Sequence, residues 1–287
     1  MYSDPPIRRL LAPNPSPLTG TGTNTYLVGA TELVVIDPGP DHDDHLAAIL
    51  AQVAGRPVAR IVVTHAHRDH SALAPRLAAL TGAELLAFGT AAEGRSPRMQ
   101  AWADRLPPSA EGLDPTFTPD HRLADGDRLT GPDWELSVLH TPGHLGGHIC
   151  LALGETLFSG DHVMGWSTSI VAPPDGDMSD YMAALHRLAE GPWRRLLPGH
   201  GDPVEDPALR LAQLIRHRQD REAAVLAALT TGPATPTGLT ARLYQDTPRH
   251  LWPAARQNVL AHLIDLAGRS LVAAEADASA DPVFRRL

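Results

Sequence analysis

The chain has 287 residues, 43% of them hydrophobic, and a formal net charge of −9, the balance of a soluble globular protein with room for one large domain or a domain plus an appendage. That charge argues against bulk electrostatic binding of nucleic acid, although a local basic face stays open. All 24 basic residues are Arg, which excludes a lysine-anchored pyridoxal cofactor and an intact Walker A loop, while the lone Cys150 excludes an internal disulfide or a thiolate metal cluster.

The first twenty residues hold no apolar stretch adequate for an export signal, and no window approaches the roughly eighteen apolar residues of a membrane span. A cytoplasmic protein with no membrane partner is expected. From "TYLVG" (25–29) and "ELVVID" (32–37) onward, short β-like runs alternate with helical patterns, the rhythm of an α/β fold. "DDHLAAILAQVAG" predicts an amphipathic helix, "ARIVVT" (59–64) a buried strand, and "SALAPRLAALTG" a single helix closed by Gly82. "AELLAF" (83–88), "WELSVLH" (134–140), "HICLAL" (148–153) and "TLFSG" (156–160) predict further strands. Residues 91–133 read as loops with one short helix near "RMQAWADRL", and 164–182 read as loop.

After residue 207 the texture changes to a long helical pattern, two shorter helices and a final β-like "SLVAAE" (270–275). This predicts a catalytic domain over 1–207 and a separate module over 208–287. Residues 210–287 hold ten Arg against seven acidic residues, so that module is slightly positive.

Three histidines and an aspartate crowd the end of the strand "RIVVT": His65, His67, Asp69 and His70. If the extended geometry continues, His65 and His67 project to one side and grip one ion, while the turn into the next helix swings Asp69 and His70 toward a second. Imidazole and carboxylate suit zinc, and also iron or manganese. His144, Asp161 and His200 recur in one context, an apolar strand, a Gly-bearing turn, then the candidate ligand, and strand ends on one rim of an α/β sheet converge.

His65-x-His67-x-Asp69-His70 followed by His144, Asp161 and His200 resembles the ligand set of the metallo-β-lactamase superfamily. The resemblance implies a four-layer αβ/βα sandwich with a small C-terminal winged-helix domain. It also implies two metal ions: His65, His67 and His144 on the first, Asp69, His70 and His200 on the second, and Asp161 bridging. A water between two cations ionises near neutral pH, so the implied chemistry is hydrolysis by a bridging hydroxide, with Asp69 as the residue that orients it and takes its proton.

"GTNTYLVG", "TPGHLGGHICLAL", "LFSGDHVMG" and "PGHGDPV", with the tail "LYQDTPRHLWPAARQNVLAHLIDL", are most similar to the β-lactamase-like protein 2 family. That likeness implies single-stranded RNA as the leading substrate for an endoribonuclease. Thioester or lactone hydrolysis of the glyoxalase II type is the alternative, although no basic motif for glutathione is evident in the tail. A third reading is a winged-helix regulator whose metal domain senses a ligand; its argument weakens because every ligand position is kept. A flavodiiron redox site expects an acid where His67 stands.

Arg249, Arg256, Gln257, Asn258 and His262 fall on or near the third helix of the tail, either as nucleic-acid contacts or in an element that walls the cleft. Ser167 and Thr168 are candidate contacts to a substrate phosphate or carboxylate. His148 is read as orienting a ligand or as structural, His162 as bordering the cleft, and Asp37 as structural. His42, His45, His186, His217 and His250 are read as surface or packing residues.

Overall fold

In the computed structural model, residues 5–106, 112–275 and 281–287 are described. The first half of the chain lays down β1 (Ile7–Leu11), β2 (Asn24–Val28), β3 (Leu33–Ile36), α1 (Asp43–Val53), β4 (Val58–Val62), α2 (Arg68–Ser71), α3 (Ala74–Thr81), β5 (Glu84–Ala87), α4 (Pro97–Ala103) and β6 (His121–Arg122). Its six strands pair in sequence order, antiparallel from β1 to β3 and parallel from β3 to β6. A second sheet follows from β7 (Arg128–Thr130), β8 (Glu135–His140), β9 (Ile149–Leu153), β10 (Thr156–Gly160) and, after α5 (Met178–Ala189), β11 (Arg195–Pro198). Its order is β11-β10-β9-β8-β7, with only β10 and β11 parallel.

Strands covered on both faces carry unbroken apolar runs, and alternation then decides which core each side chain joins. In β3, Val34 and Ile36 meet the other sheet, while Leu33 and Val35 meet α1 and α3. In β9, Ile149 and Leu151 face inward, and Cys150 and Ala152 face the outer layer of α5 and α6. Tyr26 crosses the middle: its hydroxyl donates to Pro198 O at 2.7 Å, and its ring meets Phe158 edge-on at 5.2 Å. The result is the expected four layers, helix, sheet, sheet, helix.

The tail adds α6 (Pro207–Ala228), α7 (Pro236–Leu243), α8 (Trp252–Gly268), β12 (Val272–Ala274) and β13 (Phe284–Arg286). The last two pair antiparallel as a small wing. Early in α6, Leu211 and Leu214 join the outer core of the second sheet, whereas Val225 joins a core of Val259, Leu263, Ile264 and Phe284. One helix thus serves both halves.

Several expectations shift. The single helix expected over 71–82 is two, because Pro75 has no N–H to continue the ladder and instead opens α3. Arg8 and Arg9 mask β1, an edge strand where exposed charge is at home. β6 and β7 lie in the stretch read as loop, of which 107–111 falls outside the described residues, and β13 follows the undescribed 276–280. The loop read to residue 182 ends at Asp177, whose carboxylate caps α5 by accepting from Ser179 N at 2.9 Å.

Candidate metal centre

Strand ends deliver the site. β4 stops three residues before His65, β10 one before Asp161, β11 two before His200 and β8 four before His144. Within the second sheet β8, β10 and β11 run the same way, so their ends share an edge. His65 and His67 do not meet through strand alternation as expected. The strand ends at Val62, and His67 N–H turns back to donate to His65 O at 3.0 Å. The two rings are nevertheless brought together. Asp69 and His70 occupy the single turn of α2.

All seven sequence-predicted residues converge, in two sets. His65 Nε2 and His144 Nε2 lie 2.9 and 3.1 Å from His67 Nδ1. His200 Nε2 lies 3.2 Å from Asp69 Oδ2 and 3.3 Å from His70 Nε2. Asp161 stands between the sets, its Oδ2 3.2 Å from His200 Nε2, 3.9 Å from His65 Nε2 and 3.8 Å from His144 Nε2, and its Oδ1 3.5 Å from His70 Nε2. Three overlapping groups have the spacing of metal-ligand sets: His65, His67 and His144; His65, His70 and Asp161; Asp69, His70 and His200.

The far ring nitrogens explain which atoms point inward. His144 Nδ1 donates to Ile170 O at 2.6 Å and His200 Nδ1 to Gly22 O at 3.1 Å; His70 Nδ1 donates to Asp37 Oδ2 at 2.9 Å. A proton committed there leaves a lone pair on Nε2. Nitrogens and carboxylate oxygens therefore face each other in a buried space, and Asp161 Oδ1 has no hydrogen-bond partner among the described residues. Such an array repels itself unless a cation sits among it, so the donor set fits a metal.

Charge responds accordingly. Burial holds His65 well below its ordinary pKa and carries His67 down to about 3. Burial also lowers His200, but Asp161 and Asp69 outweigh it and raise the ring to about 9. Burial pushes both carboxyls up, yet neighbouring His70 and His200 hold Asp69 and Asp161 well below the usual range. The same carboxylates raise His70 as well, so without a cation protons shared with His70 and His200 take the place a cation would fill. Cys150 takes no part: burial pushes its thiol up to about 12.

The glycine turns have a physical cause. A Cβ on Gly199 would run into Asp161 Oδ1 and stand 2.6 Å from His70 Cε1, and one on Gly160, whose φ is +48°, would stand 2.6 Å from His148 Nε2. His148 supports the centre: its Nε2 accepts the Asp161 N–H at 3.2 Å and its Nδ1 meets Thr141 Oγ1 at 2.9 Å. Asp37 does more than hold the fold. It accepts from Thr64 N and Thr64 Oγ1, both at 2.7 Å, and fixes the tautomer of His70. His162 does not border the cleft; it is fully buried, with neither ring nitrogen partnered among the described residues.

A cleft of about 670 Å³ runs from His67, Asp69, His144 and His200 to the helices of the tail. Ser167 and Thr168 line it, with apolar Leu18, Met164, Trp166 and Leu251. Trp166 is 47% exposed, and its indole packs on Gly20 and Gly201. His217, read as surface or packing, also reaches the cleft, with Arg218, Arg221 and Asn258. The sequence reading missed these arginines, whose signal is their repeat on one face of α6.

The five tail residues weighed for nucleic acid are largely committed elsewhere. Asn258 is buried, its Oδ1 accepting from Val171 N and Arg218 Nη1, each at 3.0 Å. His262 is buried, Gln257 Oε1 is buried, Arg256 pairs with Asp281 at 2.9 Å, and Arg249 stacks on Trp252 at 4.7 Å. α8 walls the cleft through Ala254, Ala255 and Asn258. No helix among the described residues is long and apolar enough to cross a membrane.

The family model of the metallo-beta-lactamase superfamily matches residues 18–200, and that of the beta-lactamase associated winged helix domain matches 235–280. The chain is 32% identical over 282 residues to the beta-lactamase-like protein 2 homolog of Drosophila melanogaster, covering 94% of this chain and 91% of that one. It is 30% identical over 240 residues to an atrochrysone carboxyl ACP thioesterase of Passalora fulva, covering 79% and 62%. A solved metallo-beta-lactamase family protein from Thermus thermophilus superposes over 98% of both chains with a TM-score of 0.79 at 27% identity.

Proposed function

The chain belongs to the metallo-β-lactamase superfamily of metal-dependent hydrolases, and on that premise we propose that it is a dinuclear enzyme cleaving a small acyl thioester or a related ester. His65, His67 and His144 would hold one divalent cation, Asp69, His70 and His200 the other, and Asp161 both. Zinc suits this all-nitrogen-and-oxygen set, as do iron and manganese. We also propose the division at residues 207/208, with the winged helix as the outer wall of the cleft.

When bound, the cations acidify a water for attack near neutral pH and polarise the oxygen on which charge builds. The remaining work falls to the chain. Asp69, ionised and lining the cleft, accepts the proton given up by the attacking water. Asp37, His148 and the carbonyls of Gly22 and Ile170 hold the ligands in register, and Trp166, Met164 and Leu18 offer an apolar wall to an acyl group.

The observation that carries this reading is the placement of Asp161 between two lone-pair-bearing sets at the base of a mostly apolar cleft. A relative named as a thioesterase supports the substrate class. Cleavage of single-stranded RNA draws less support, since Asn258 and His262 are buried and Arg256 is paired. The test is a panel: metal-reconstituted protein against S-lactoylglutathione, a lactone, nitrocefin and single-stranded RNA, with His67→Ala as control. Thioester turnover that vanishes in the variant is expected. RNA cleavage without thioester turnover overturns the substrate class, and absence of bound metal overturns the mechanism.

A further inference from the structure

Arg210, Leu214, His217, Arg218, Arg221 and Val225 share one face of α6 at helical spacing, and of these His217, Arg218 and Arg221 line the cleft. The three arginines donate to neutral oxygens: Arg210 to Met164 O (2.7 Å) and Ser167 O (2.6 Å), Arg218 to Asn258 Oδ1 (3.0 Å) and Ser169 O, and Arg221 to Leu243 O (3.2 Å). The acids of the same helix turn elsewhere, Asp220 to Arg216 and Glu222 to Arg269. Arg218 is 2% exposed, lies 5.0 Å over the Tyr181 ring, and has its Nε without a partner among the described residues. Among the described residues, nearby His162 and His262 have no hydrogen-bond partner on any of their four ring nitrogens, and neither supplies a negative charge.

A guanidinium taken out of water with no counter-ion is costly and persists where function holds it. Both Arg218 and Arg221 line the cleft, as the metal-ligand residues do at its other end. We propose that Arg218 and Arg221 bind a carboxylate or phosphate that the substrate carries at a distance from its scissile bond. A planar fork of donors suits either anion, and an anion there offsets the buried charge. The site deepens the thioester reading above, because it selects which thioesters are retained.

The test compares kcat/KM for acetyl-coenzyme A, which carries phosphates, S-lactoylglutathione, which carries carboxylates, and neutral S-acetyl-N-acetylcysteamine. In Arg221→Gln the ratio of at least one anionic substrate to the neutral one falls tenfold or more, through KM. Which ratio falls identifies the anion. Arg216→Gln, on the opposite face, keeps the parent ratios. An unchanged ratio in Arg221→Gln overturns the proposal. Calorimetric titration of coenzyme A and S-hexylglutathione separates the two readings: tenfold weaker binding in Arg221→Gln upholds the anion subsite even where no thioester is turned over, and no binding of either probe to the parent chain overturns it.

Discussion

At one end of the cleft, imidazole nitrogens and carboxylate oxygens crowd together; at the other, arginines of α6 meet carbonyls and a side-chain amide rather than acids. Many arginines elsewhere in the chain pair with acids, as in Arg9 with Asp202 or Arg187 with Asp125. Burial makes crowded ligand atoms without a cation and a guanidinium without an acid both costly, so each end of the cavity marks what it receives.

The contrast can be broken most forcefully at the metal end. Asp161→Ala removes the residue shared by both sets, and the loss of several kcal/mol of transition-state stabilisation amounts to about 10³-fold in kcat/KM. Elemental analysis of the variant should show reduced metal content, and full activity in chelated protein would refute the role assigned to the centre. Asp37→Asn is milder. The amide presents N–H where Oδ2 accepted from His70 and Thr64, so metal affinity should drop roughly 10–100-fold in a chelator competition.

Acid should next act on buried histidines outside the candidate ligand set. Burial depresses His162 and His262 to about 3 and His45 to about 4, so all three are neutral when folded and protonate more readily when unfolded. Their contribution is complete above about pH 6.5 and declines as pH falls toward 4, by up to roughly 1.4 kcal/mol per pH unit for each ring. Urea midpoints between pH 7 and 4 measure the slope, and His262→Leu should flatten it. The smallest effect belongs to Arg216→Gln, an exposed i,i+4 pair with Asp220, worth less than about 0.5 kcal/mol in the same titration.

Much of the metal end was legible because its residue types are rare and clustered and follow strands with clear apolar runs. His65 through His70 announce themselves in six positions, and His144, Asp161 and His200 share a strand-and-glycine context. The arginine end was hidden for the opposite reason. Arg on a helix is ordinary, and only the fold reveals that Arg218 faces inward while Arg216 faces water. Asp37 looked structural because nothing local in the sequence connects it to His70, 33 positions away. β6, β7 and β13 are too short to set up a period, and α5 begins inside a Pro- and Gly-rich stretch whose capping aspartate looks like another loop residue.

Three consecutive residues between the halves bear on how far the chain can be cut down. Ile170 offers its carbonyl to His144, while Ser169 and Val171 on either side are gripped by Arg218 and Asn258. A shortened version ending near 207 would thus remove the outer clamp from the peptide that seats His144. The tail thereby buttresses the centre from outside its own domain, and trimming it away is expected to loosen the seat of His144.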